Sequence, residues 1–262
     1  SLDRIDPHAI AMRALRKAEQ SANPVAIEPG RYTAILEPQA MADLCTPLLG
    51  GAFSGGAMDR IDAEEGRGPF AFGKDQSKIG QQVLDVRLQL SADPMDHDAG
   101  FIPFDRRSGV PYRQVDWIKD GVLKDLSYDR RYALAYLGKD QALLNSRSYR
   151  LAPAPGVPTA TVEEMIMKTE RGILVTRFSD VSVIDGSTML SAGYTRDGVW
   201  LIENGKNSKA VKNFRFTESP LFALNSLLDV GKAERVFQPG YAVMAPAVRV
   251  RDFNFSSLAD AV

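Results

Sequence analysis

The chain has 262 residues, a formal net charge of −1 and an ordinary globular share of apolar and charged side chains. That length is enough for one large core or two small ones, and the near-neutral balance excludes an overall basic field for nucleic acid or anionic lipid. Its single cysteine, Cys45, excludes an internal disulfide and fits a reducing cytoplasm, and no apolar run approaches the ~20 residues that span a membrane.

Asp6-Pro7 reads as an N-cap followed by the first helical residue. Ile10, Ala11, Ala14, Leu15 and Ala18 then form a helical stripe that Asn23-Pro24 ends. Residues 32–36 predict a strand. Pro38 opens a helix carrying Met41, Leu44, Cys45, Leu48 and Leu49, which Pro47 bends or stops early. Residues 54–80, rich in Gly, Asp and Lys, read as a long loop with an aromatic anchor at 70–72. Residues 83–90 alternate as a half-buried strand. Turn chemistry fills 93–109 around Phe101, Phe104 and Asp105, and Asp120-Gly121 joins strands at 112–118 and 122–126. A short helix over 129–137 closes on Gly138, and 146–159 is irregular. Thr161 and Glu164 form a capping box for a helix that stops at Gly172.

The second half reads mainly as sheet. Strands are expected at 173–184, 188–195, 199–203 and 209–217, broken at Asp185-Gly186, Asp197-Gly198 and Asn204-Gly205. Ser219-Pro220 starts a last helix running to Val230 with Gly231 as its stop, and 241–251 is a final strand. Hairpin-joined strands with inserted helices predict an α+β fold with a mixed, largely antiparallel sheet.

Catalytic motifs are few. The two histidines, His8 and His97, lie far apart, and no HExxH, CxxC or histidine pair occurs, so the chain offers no zinc donor set of its own. The loop Asp93-Pro-Met-Asp96-His97-Asp98 lacks the EF-hand spacing and reads as a solvated acidic turn. Cys45 sits among Leu44, Leu48 and Leu49 and reads as a packed core thiol. Neither the FSGG at Phe53 to Gly56 nor the Gly-rich pieces match a nucleophile elbow or a P-loop. Arg177 stands in an apolar strand and needs a carboxylate. Asp180 is near in sequence, so Arg177 reads either as half of a structural ion pair or as a contact for a ligand carboxylate.

Several segments together carry a family resemblance: YTAILEPQAMADL (32–44), FSGGAMD (53–59), PFDRRSGVPYRQVDWIKDGVLKDLSYDRRYALAYLG (103–138), TVEEMIMKTERGILVTRF (161–178) and GVWLIENGK (198–206). In order and spacing they resemble the C-terminal region of the TldD/PmbA family, once labelled modulators of DNA gyrase and acting as peptide-processing metalloproteases. The resemblance implies a β-rich C-terminal region that an N-terminal α/β domain usually precedes. It also implies a heterodimer in which a TldD-type subunit carries HExxxH on a helix plus a cysteine near the C-terminus, while the TldE (PmbA) type lacks these ligands. In this chain the matching helix, ADLCTPLLGG (42–51), has no histidine, and YAVMA (241–245) has no cysteine.

The expectation is therefore a TldE-like, metal-free chain without a cofactor or catalytic residues of its own. It would be cytoplasmic and would partner a TldD-like zinc metalloprotease subunit around a peptide substrate that binds as an extended strand. Residues 1–262 are expected to form a single C-terminal-like domain without the usual N-terminal α/β domain, in a chain that is processed, shortened or naturally short. Asp105, Arg177, Asp180 and Glu203 are the candidate peptide-binding residues. Two other readings stay open: a stand-alone metal-free hydrolase or modifying enzyme of a biosynthetic pathway using those same four residues, and a self-associating homodimeric binding module. Nucleic-acid and membrane partners are not expected.

Overall fold

The computed structural model describes residues 6–49, 57–99, 103–106, 108–146, 148–238 and 241–259, the side chains of 241 and 242 excepted. The expectations for 53–56 and for Phe101 lie outside the described residues.

Among the described residues eleven strands make one sheet, in the order β1-β6-β7-β9-β11-β5-β2-β3-β4, with β10 on β11 and β8 on β7. β1 (Gly30–Leu36) pairs with β6 (Arg171–Asp185) in parallel and with β11 (Tyr241–Leu258) antiparallel. β6 pairs with β7 (Leu190–Glu203), β7 with β9 (Phe214–Glu218), and β9 returns to β11, so these strands close a ring. Its interior is aromatic: Phe178 stacks on Phe253 at 5.6 Å and meets Phe216 at 4.4 Å, while Phe255 lies 5.1 Å from both Phe253 and Phe214. Such pairs add about 0.5–1.5 kcal/mol each beyond the area they bury. Only small residues let the ring close this tightly. A Cβ on Gly172 would stand 2.6 Å from the Thr33 carbonyl oxygen, and one on Gly193 would stand 2.8 Å from the Phe216 ring.

The wing of the sheet is β5 (Ser148–Pro153), β2 (Leu88–Ala92), β3 (Val115–Lys119) and β4 (Val122–Leu123). Most pairs are antiparallel, and β1–β6 and β5–β11 are the parallel ones. The α+β expectation therefore holds.

α1 (Pro7–Gln20) forms where its caps predict, with Asp6 accepting from the Ala9 amide at 2.9 Å, but it buries no residue. α2 (Pro38–Cys45) ends before Pro47 and packs on β6, β10 and β11. α3 is Arg60–Glu64, and α4 (Arg130–Tyr132) runs into a π-helical turn, Ala133–Leu137, closed by Gly138. The Thr161/Glu164 capping box is formed at α5 (Val162–Met167).

Five local readings are corrected. Asp197-Gly198 does not break a strand; β7 runs through it, with Asp197 at φ 59° in a bulged register. The strand expected from residue 83 starts at Leu88, because the Asp85 carboxylate accepts from the Arg87 amide and turns the chain first. The last helix, α6 (Pro220–Asn225), stops early, and β10 (Leu227–Gln238) takes its apolar residues into pairing with β11. β5 lies in the stretch expected to be irregular, and the strand expected at 209–217 is divided between β8 (Lys206–Ala210) and β9.

Candidate functional site

α2 is the helix where the resemblance places a zinc site. Pro38 occupies its first turn, and Ala40, Met41, Leu44 and Cys45 drive it into the core. One carboxylate goes in with them: Asp43 is 6% exposed. Its Oδ1 accepts from Gln39 Nε2 at 2.9 Å and from Gln238 Nε2 at 2.7 Å; its Oδ2 accepts from the Phe178 amide at 3.0 Å and faces Arg177 Nε at 3.6 Å. Burial raises the Asp43 pKa above the ordinary carboxylate value, outweighing the bonds from Gln39, Phe178 and Gln238 and the charge of Arg177. Oδ1 accepts two hydrogen bonds and Oδ2 one, all from the protein itself, so the carboxylate ties α2 to β6 and to the end of β10.

This donor set does not fit zinc. α2 presents no imidazole, Cys45 is buried among apolar groups with its thiol pKa pushed up by burial, and Asp43 is committed to amides and a guanidinium. Among the described residues no three His, Cys, Asp or Glu side chains gather as a metal-holding group. His8 lies on exposed α1, and the acidic loop at His97 is organised by Arg150, which donates to Asp96 at 2.6 Å.

Gln39 has a second task. Its Nε2 donates to the Phe237 carbonyl oxygen at 2.7 Å, and its Oε1 accepts from the Phe237 amide at 3.1 Å. The carboxamide thus pairs with the outer edge of β10 as a neighbouring strand's peptide group would. Pairing with β11 is regular from Ala233↔Pro246 to Gln238↔Tyr241, so period-2 alternation turns the backbone groups of Ala233 and Arg235 to the same outer edge as those of Phe237. Pro246 agrees with this register, since its missing N–H falls opposite Ala233 at a pair that exchanges no hydrogen bonds. No hydrogen bond from the described residues reaches the outward groups of Ala233 or Arg235. Further back, Val230 accepts from the Ala160 amide at 2.9 Å. The open edge is therefore a window bracketed by Ala160 and Gln39. It borders a groove of about 910 Å³ lined by α1, the starts of α2 and α5, and β10. Phe237, 74% exposed, stands at one end.

The four residues singled out from sequence do not converge. Arg177 pairs with Asp43 and, at 3.6 Å through Nη1, with Asp197, rather than with Asp180; three residues along a strand point to opposite faces. Asp180 is exposed at φ 53° beside a small depression of about 180 Å³ that includes Tyr194 and Arg196. Glu203 accepts from Ser208 Oγ at 2.7 Å and faces Arg171 at the far end of β6–β7, roughly 20 Å along the strand from Arg177. Asp105 is held in its own loop by the Ser108 amide at 2.8 Å and Tyr112 Oη at 3.1 Å. Sequence reasoning missed Gln39, Asp43 and Gln238. Gln39 and Asp43 had a signal, an i,i+4 amide–carboxylate pair inside an apolar helix. Gln238 had none, being 195 residues from its partner.

No curated protein matches the sequence. Several solved structures share the fold, three of them as follows. One, described as a candidate modulator of DNA gyrase from Bacteroides thetaiotaomicron, has 21% identity and a TM-score of 0.77, covering 98% of this chain and 54% of that one. A similarly described protein from Thermotoga maritima has 20% identity and a TM-score of 0.76, with 96% and 56% covered. TldE from Thermococcus kodakarensis has 21% identity and a TM-score of 0.75, with the same coverages, 96% and 56%. The chain thus spans little more than half the length of these structures. The model of the PmbA/TldA metallopeptidase C-terminal domain matches residues 29–257. That match takes in the ring, α2 and the β10–β11 hairpin, and the chain belongs to the PmbA/TldD family.

Proposed function

We propose that this chain is a metal-free, TldE-like partner of a TldD-type zinc metalloprotease subunit, and that it holds and encloses a peptide rather than cutting it. The observation that carries this reading is the Asp43 network. At the position of the family's metal-bearing helix the chain has a carboxylate held by three amide hydrogen bonds and facing the Arg177 guanidinium at 3.6 Å, with no imidazole and no accessible thiolate. The open edge of β10 supports the second half of the reading, because an extended peptide can add to it as a strand.

The test is zinc content and peptide hydrolysis, measured for this chain alone and after co-expression with a TldD-type subunit. Zinc and cleavage confined to a co-purifying complex are expected. Stoichiometric zinc or cleavage with this chain alone would reverse the assignment and favour a stand-alone enzyme.

A further inference from the structure

We infer that Gln39 sets the end-point of the peptide site: its carboxamide occupies the last pairing position on the β10 edge, so that a captured strand must stop before Phe237. This inference rests on the reading that the groove receives an extended peptide, and adds to it the residue that limits register and reach.

The geometry is specific. A side chain that merely covered the edge would need one contact, but Gln39 satisfies both the N–H and the C=O of Phe237, as a strand neighbour does. In the regular part of the ladder two outward residues, Ala233 and Arg235, lie between it and the bulge that precedes the Ala160 bracket. Gln39 is also held from behind. The same Nε2 that reaches Phe237 donates to Asp43, whose carboxylate is fixed by Gln238 and the Phe178 amide. An incoming strand that ran past Arg235 would have to displace a side chain anchored in the core. Arg13 and Lys232 against Glu163 and Glu234 give the groove lining mixed charge, so pairing falls to the peptide backbone rather than to one class of side chain.

The experiment uses the full chain and two fluorescein-labelled Thr-Val repeats. The short one pairs only with Ala233 and Arg235, and the long one runs past Phe237. Binding is followed by fluorescence anisotropy for the wild type, Gln39→Met, Gln39→Ala and Arg235→Pro. Arg235→Pro deletes one outward donor without removing a donor from the β11 ladder.

In the wild type the two repeats are expected to bind equally. Both Gln39 variants free two backbone groups, so the long repeat should gain roughly tenfold while the short one is unchanged. If the Gln39 variants treat both repeats as the wild type does while Arg235→Pro weakens both, the edge captures peptide and the role of Gln39 is overturned. A Gln39 variant that shifts both repeats alike also overturns it, since that would mean a loosened helix or a plain edge blocker. Absence of binding, or indifference to Arg235→Pro, removes the peptide reading and this inference with it.

Discussion

Replacing Asp43 with Ala tests the central structural claim, that this carboxylate is an internal tie and not a spare catalytic acid. The substitution removes the acceptor for the Phe178 amide and for Gln238, both buried, and for half of the Gln39 carboxamide. Each buried donor left without a partner costs about 1–3 kcal/mol. The charge loss is discounted, because Arg177 is partly exposed and keeps Asp197 at 3.6 Å. The sum is about 3–5 kcal/mol, which for a chain of this size lowers Tm by roughly 10 °C. Thermal unfolding followed by circular dichroism reads it directly, and a drop below about 2 °C would refute the reasoning. Asp43→Asn adds a pH arm. Burial raises the folded Asp43 pKa above the unfolded value, so the folded state takes up the proton first. The ionised carboxylate is then a cost that is present at neutral pH and relieved as pH falls through the folded value. Asn does not titrate, so the gap between wild type and Asp43→Asn should widen from about pH 7 towards about pH 4. A gap that narrowed instead would mean that the Arg177 pairing dominates.

Other expectations follow from the same structure. Gly172→Ala should lower stability by about 1–3 kcal/mol in urea denaturation, because its Cβ would meet the Thr33 carbonyl oxygen at 2.6 Å and Thr169 Cγ2 at 2.8 Å; an unchanged midpoint would mean that β1 and β6 are not so closely apposed. Cys45 should resist Ellman's reagent in the native chain and react on unfolding, since burial pushes its thiol pKa up; rapid native labelling would contradict its core position. Asp85 carries the opposite sign from Asp43. The Arg87 hydrogen bond lowers its pKa, so the penalty of Asp85→Asn should be full above about pH 5 and shrink as pH falls through the folded value. A pH-independent penalty would place the loss in the Asp85–Arg87 turn geometry rather than in the charge.

Much of the local framework was legible in the residues. Asp6-Pro7 starts α1, Thr161 and Glu164 cap α5, and Asp120-Gly121 and Asn204-Gly205 turn their hairpins, because a cap or a left-handed turn is decided within a few positions of the chain. Pro47 lies just past the end of α2 for the same reason. Where pairing partners are remote, local reading failed. Asp197-Gly198 has the turn signal, yet β7 continues through it as a bulge, since β6 on one side and β8 and β9 on the other outweigh two residues of preference. The apolar run after Asn225 suits a helix locally and becomes β10 because β11 supplies a ladder.

The candidate site divides in the same way. The absence of histidine from the α2 segment, the burial of Cys45 and the α+β class follow from residue types and periodicity, which act over a turn or two of chain. Which carboxylate answers Arg177, that Gln238 closes on Asp43, and that Gln39 reaches the edge of β10 depend on contacts between residues 134 to 198 positions apart. Sequence spacing carries no record of such contacts. They exist only once the ring closes and brings α2, β6 and the end of β10 to one place.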